Sequence, residues 1–165
     1  MKNLLALFLI TISQFALCQT QNPFLNLKYD KVVMYEFEGG KGSDLSIIDN
    51  KGQLAKSIHN SAILPDSTTK ELNEKLGSKK SYGAQTAACF DPHLGFVYYK
   101  DEKVVCFITI CLDCNRLYSS IEIPQQKQGK SGVGRDIYYT GDGMSDPFRS
   151  YLSSLLVKYN FSHQL

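Results

Sequence analysis

The chain has 165 residues, 43% of them hydrophobic, with a formal net charge of +2. That length and apolar fraction suit one domain with a sizeable core. A balance this close to neutral gives no electrostatic footing for nucleic acid or an anionic membrane surface, so neither is an expected partner.

Met1 to Cys18 reads as a cleavable secretory signal. Lys2 supplies a positive start, Leu4 to Ile12 is almost wholly apolar, and Ala16-Leu17-Cys18 sets small residues before a cut that leaves Gln19 as the new N-terminus. The apolar run is too short for a membrane span, which needs about 20 such residues, and no other stretch approaches that length. A lipoprotein signal with Cys18 lipidated is the lesser alternative, because Leu17 stands where a small residue usually precedes such a cysteine. The expected organisation is a signal over residues 1–18 and a single domain over 19–165, exported to the periplasm or secreted. Cleavage removes Cys18 and leaves Cys89, Cys106, Cys111 and Cys114.

Residues 19–27 read as a short leader with little structure. Lys31 to Glu38 (KVVMYEFE) is strand-like, rich in β-branched and aromatic residues. The glycines from Gly39 to Gly42 mark a turn, Leu45 to Asp49 a second short strand, and Asp49-Asn50-Lys51-Gly52 a hairpin turn leading to a strand over residues 53–58. Pro65-Asp66-Ser67 opens a helix over about 66–77, with Asp66 or Ser67 as its cap, Leu72 and Leu76 on one face, and Gly77 at its end. Ser78 to Thr86 reads as an exposed polar loop.

Leu94 to Lys100 and Lys103 to Cys111 flank Asp101-Glu102 and form the best hairpin signal in the chain. The second run is apolar at nearly every position, as a central buried strand would be. Tyr118 to Ile123 is a further strand candidate, Gln125 to Arg135 a loop, and Asp136 to Thr140 a last short strand. A final helix over about 146–159 has Ser145 as N-cap and Pro147 in its first turn. Phe148, Leu152, Leu155, Leu156 and Tyr159 follow helical spacing along one face. The predicted fold class is α+β: a single domain with an antiparallel sheet and two packed helices.

The hairpin places the residues that carry chemistry. A two-residue loop at Asp101-Glu102 pairs Lys100 with Lys103. Counted outward, Val97 then faces Cys106, His93 faces Ile110, and Cys89 falls opposite Cys114. Direct cross-strand partners lie about 5 Å apart. Cys89, His93, Cys111 and Cys114 are therefore expected to gather at the open end of one hairpin.

Three chemistries fit that set. As metal ligands, three thiolates and one imidazole satisfy tetrahedral zinc, and C-x-x-C is a common two-ligand spacing. As disulfides, four cysteines in an oxidising compartment allow several pairings, of which Cys89–Cys114 suits the register. Cys106 lies mid-strand, faces away from Cys111, and reads as a small core residue. As an active site, Cys111-Leu112-Asp113-Cys114 with His93 would make a thiol oxidoreductase, or the cluster a zinc enzyme with one position open. The surrounding β-hairpin is not the strand-to-helix frame that a thioredoxin-like motif needs. Asp91 and Asp113 flank the cluster, and either could orient His93.

Ala88-Cys89-Phe90-Asp91-Pro92-His93 with Ile110-Cys111-Leu112-Asp113-Cys114 resembles a group of small uncharacterised exported bacterial proteins. These carry a C-[FY]-x-P-x-H segment, a hydrophobic hairpin and I-C-x-x-C; in this chain His93 follows Pro92 directly. The resemblance covers about residues 86–116. It implies that these residues belong together and brings no established activity.

Other motifs are weaker. Gly129-Lys130-Ser131 lacks the upstream glycine and following helix of a phosphate loop. Gly141 to Asp146 lacks the alternating oxygen ligands and closing Glu of a calcium loop. His59 and His163 have no visible catalytic partner. The expectation is an exported domain of unknown activity whose Cys/His cluster binds a zinc-like metal or forms a structural disulfide. It would act as a binding or interaction module toward an unidentified protein or small molecule. The alternative is the thiol or zinc enzyme.

Overall fold

A computed structural model describes residues 22–40 and 45–162. The signal assigned to residues 1–18, much of the Gly39–Ser43 turn, and His163 lie outside them. The molecule is built on a five-stranded antiparallel sheet. Its strands are β1 (Lys31–Phe37), β2 (Ile58–Ile63), β4 (Leu94–Lys100), β5 (Lys103–Cys111) and β6 (Arg116–Ser119), in the order β2-β1-β4-β5-β6. Four further short strands and two helices follow the expected α+β plan. β3 (Tyr82–Ala84) pairs with β9 (Gly143–Met144), and β7 (Lys130–Ser131) pairs with β8 (Tyr138–Tyr139). The helices are α1 (Asp66–Leu76) and α2 (Asp146–Lys158).

The Asp101-Glu102 turn is as expected. Both residues take positive φ, 48° and 59°, so the two-residue loop has the twist that antiparallel strands require. Lys100 pairs with Lys103, but the ladder then slips: Tyr99 pairs with Val104 and Tyr98 with Cys106. Val105 is bulged out, and Val97 therefore faces Phe107 rather than Cys106. At the far end Leu94, not His93, faces Ile110, although His93 N–H donates to the Ile110 carbonyl at 3.1 Å.

The two faces of the sheet are covered differently. Leu94, Phe96 and Tyr98 of β4, Val32 and Met34 of β1, and Cys106, Ile108 and Ile110 of β5 meet the apolar stripes of both helices in one large core. Leu72 and Leu76 of α1 and Phe148, Leu152, Leu155 and Leu156 of α2 supply the helix side. Phe24 also enters this core from a short 3₁₀ turn over Pro23–Leu25, so the leader is structured at that point. Asn73 is the buried polar hub. It accepts from the Tyr98 hydroxyl at 2.8 Å, donates to the Tyr29 hydroxyl at 3.1 Å, and receives Asn22 Nδ2 on its carbonyl at 2.9 Å.

On the opposite face Phe37 and Val97 are covered by Ile47, Ile48 and Ala55. Residues 45–56 were expected to supply two strands. They form instead a flap with one isolated bridge, Ile48 to Leu54. Its tip keeps the expected turn chemistry: the Asp49 carboxylate accepts from Lys51 N–H and Gln53 N–H, both at 2.8 Å, and Gly52 has φ +77°. The Gln53 N–H, with the Lys51 N–H, holds the Asp49 carboxyl below its ordinary value. That contribution to the turn is therefore present above the usual carboxylate range and is lost as pH falls through the lowered value.

The flap is seated on one cross-strand pair. Gly95 faces Thr109 across β4 and β5, and the Thr109 hydroxyl accepts from Ile47 N–H at 3.2 Å. A Cβ on Gly95 would lie 2.6 Å from Ile47 Cγ1. Gly95→Ala is accordingly expected to lift the flap and cost about 1–3 kcal/mol. Chemical denaturation would measure it; a change near zero would contradict this seating.

Neither helix has a side-chain cap bond at its N-terminus. Pro65, not Asp66 or Ser67, is the N-cap residue of α1, with no side-chain cap bond. Ser145 does stand at the N-cap of α2, but its hydroxyl makes no cap bond. The polar stretch over residues 78–86 is not a simple exposed loop. It holds a 3₁₀ turn over Lys79–Ser81 and β3, whose Tyr82 is buried and donates to the Leu76 carbonyl at 2.8 Å.

Candidate functional site

The segment before β4 runs along the end of the sheet. Phe37 N–H donates to the His93 carbonyl at 3.1 Å, Gly39 N–H to the Pro92 carbonyl at 3.0 Å, and Ala87 N–H to the Cys114 carbonyl at 2.9 Å. Gly40, at φ +90°, lies so close to the Asp91 carboxylate that any Cβ there would collide with it. Residues 86–93 are thereby fastened between the continuation of β1 and the β5–β6 turn.

That turn is tight. Asn115 N–H donates to the Leu112 carbonyl at 3.2 Å, and Asn115 takes φ +53°, a conformation its short polar side chain tolerates. Its amide donates to the carbonyls of Gln85 at 2.9 Å and Met144 at 3.0 Å, joining three segments. Arg149 of α2 donates to the Leu112 carbonyl at 3.2 Å.

Cys89 and Cys114 form a disulfide, with Cα atoms 5.7 Å apart and a sequence separation of 25. The register had set these two opposite each other. Cys111 and Cys106 are free thiols, both buried. Cys106 lies in the helix-side core, as expected, and desolvation raises its thiol pKa. Cys111 Sγ accepts the Cys114 N–H at 3.3 Å. His93 is half-buried, and its backbone carries the β1 and β5 hydrogen bonds. Asp91 packs against Gly40, and Asp113 is exposed on the turn.

The four residues expected to share one metal do not stand as a four-ligand set. A bridged pair offers no thiolates, and among the described residues no group of three or more His, Cys, Asp or Glu is placed to hold an ion. The donor set that zinc would need is not presented by this arrangement.

Beside the bridge lies a surface groove of about 620 Å³ that the sequence did not reveal. Leu45 and Ile48 of the flap form one wall and Phe90, next to Cys89, another; Phe107, Tyr118 and Arg116 also line it, as do the carboxylates Asp49 and Asp142. The Phe107 and Tyr118 rings lie 6.2 Å apart. The Arg116 guanidinium donates to the Cys89 carbonyl at a long 3.5 Å. The legible signal was alternation in β5. Phe107 points away from Cys106 and Ile108, onto the face that no helix covers.

No family model matches the chain, and neither does any curated protein or solved structure. Among the described residues no helix is long and apolar enough to cross a membrane.

Proposed function

We propose that the protein is an exported binding module whose ligand groove is held in shape by the Cys89–Cys114 disulfide. The observation that carries this reading is the placement of the bridge: it fastens the segment bearing Phe90, one wall of the groove, to the turn that leads into Arg116. Export fits the N-terminal pattern and the persistence of disulfides in oxidising compartments. The groove suits a small ligand with a flat apolar body and a single anionic group, which Arg116 would hold away from the two carboxylates, Asp49 and Asp142, that also line it. Phe90, Phe107 and Tyr118 offer apolar faces, and guanidinium is the side chain best matched to a carboxylate or sulfonate.

Anilinonaphthalene sulfonate has that chemistry and serves as the probe. The folded protein is expected to bind it. Arg116→Ala and Phe107→Ala are each expected to weaken binding by about tenfold, the effect of one charge-assisted hydrogen bond or one aromatic contact. Fluorescence titration measures the affinity, and near-ultraviolet circular dichroism verifies that each variant keeps its tertiary packing. Affinity unchanged in both variants would overturn the reading.

A further inference from the structure

Three cysteines share the bridge end, and one of them is left as a thiol inside it. Cys111 ends β5, and Cys114 lies three residues on, inside the turn that the Asn115 N–H to Leu112 carbonyl bond closes; where the chain turns, Cα atoms at i and i+3 lie within about 7 Å. A disulfide spans Cα separations of about 4.4–6.8 Å, so the turn is compatible with a bridge between them. Cys111 Sγ already touches the Cys114 backbone through the 3.3 Å N–H contact. Cys111 and Cys114 are buried, whereas Cys89 is exposed. The thiol and one bridge sulfur thus sit inside, and the other bridge sulfur belongs to an exposed residue.

We propose that Cys111 makes this bridge exchangeable, acting as an internal resolving thiol that hands the exposed Cys89 to disulfide-bearing partners. The Cys111 thiol gives its proton to solvent, and the thiolate attacks Cys114 Sγ. A Cys111–Cys114 bond forms, the Cys89–Cys114 bond breaks, and the electron pair leaves on Cys89, which stays a thiolate or is protonated by water. No oxidant is consumed in this step. The Cys89 thiolate then attacks an incoming disulfide, forming a mixed disulfide on Cys89 and expelling one partner thiolate. The exchange also removes the covalent tie between residues 86–93 and the β5–β6 turn and leaves their hydrogen bonds, because the long-range staple becomes a local C-x-x-C link. This inference uses only the three sulfurs and does not rest on the ligand groove.

Dithionitrobenzoate, an aromatic disulfide, serves as the probe on the folded, bridged protein, followed by peptide mapping without reduction. The expected product carries thionitrobenzoate on Cys89 together with a Cys111–Cys114 bridge. In Cys111→Ser the adduct on Cys89 is expected to disappear, whereas Cys106→Ser reacts as the parent does. Cys111→Ala provides a second variant if the serine proves poorly folded by circular dichroism, and the parent map decides the matter by itself. Absence of any Cys89 adduct in the parent would overturn the proposal. So would an adduct on Cys111 with the Cys89–Cys114 bridge intact, or a Cys89 adduct that persists in a folded Cys111 variant.

Discussion

Replacing Cys89 with Ser is expected to destabilise the folded domain by about 3.5 kcal/mol, the loop-closure effect of a bridge across 25 residues. For a domain of this size the thermal midpoint should fall by roughly 10 °C. Cys89 is the informative position because its side chain is exposed, so the substitution removes the staple with little change in packing. Cys114, by contrast, is buried, and its removal would mix the two effects. Scanning calorimetry with and without reductant checks the cause. Reductant should bring the parent protein down to the variant's midpoint and leave the variant unmoved. A chelator should move neither, since two bridged sulfurs offer an ion no thiolates. A shift under about 1 kcal/mol would show that the hydrogen bonds of Asn115 and Ala87 alone hold this end together.

Asn73→Ala is expected to cost about 3 kcal/mol, more than an ordinary surface change on a helix, because two tyrosine hydroxyls lose their partner. The Tyr98 ring and hydroxyl are fully buried, and its phenol donates to Asn73 Oδ1. Burial also raises the Tyr98 pKa well above its ordinary value, so it remains a neutral donor and cannot ionise to escape the loss. Tyr98→Phe in the Asn73→Ala background should recover part of the stability. Removing both partners is milder than orphaning one. Denaturant unfolding of the two single variants and the double variant closes that cycle. Additive losses would mean that the two side chains are not coupled.

The parts of the fold that could be read from residues are those where local chemistry and tertiary packing agree. Asp101-Glu102 between two apolar runs, and the stripe from Phe148 to Leu156, each specify one structure at both levels. β2 was missed because its sequence, Ile58-His59-Asn60-Ser61-Ala62-Ile63, half-exposes alternate residues on an edge strand and carries little apolar signal. The flap was misread for the opposite reason. Asp49 to Gly52 has good turn chemistry, but Gly95 provides a seat for Ile47 that turns residues 45–56 onto the face of the sheet instead of into its plane.

At the site, register reasoning brought Cys89 to Cys114 even though the ladder slips by one at Val105, because the slip is small beside the reach of a disulfide. Sequence could not decide between bridge and metal. Both chemistries want the same residues at the same spacing, and only the local arrangement separates them. The groove was illegible because nothing in the sequence tells which sheet face the helices leave open.

A bridge map with metal analysis, on the protein purified from an oxidising compartment and digested without reduction, separates a disulfide from a metal centre at this end of the sheet. A peptide pair linked through Cys89 and Cys114, alkylatable thiols at Cys106 and Cys111 after unfolding, and no stoichiometric metal are expected. Free thiols at Cys89, Cys111 and Cys114 with one zinc per chain would contradict the bridge.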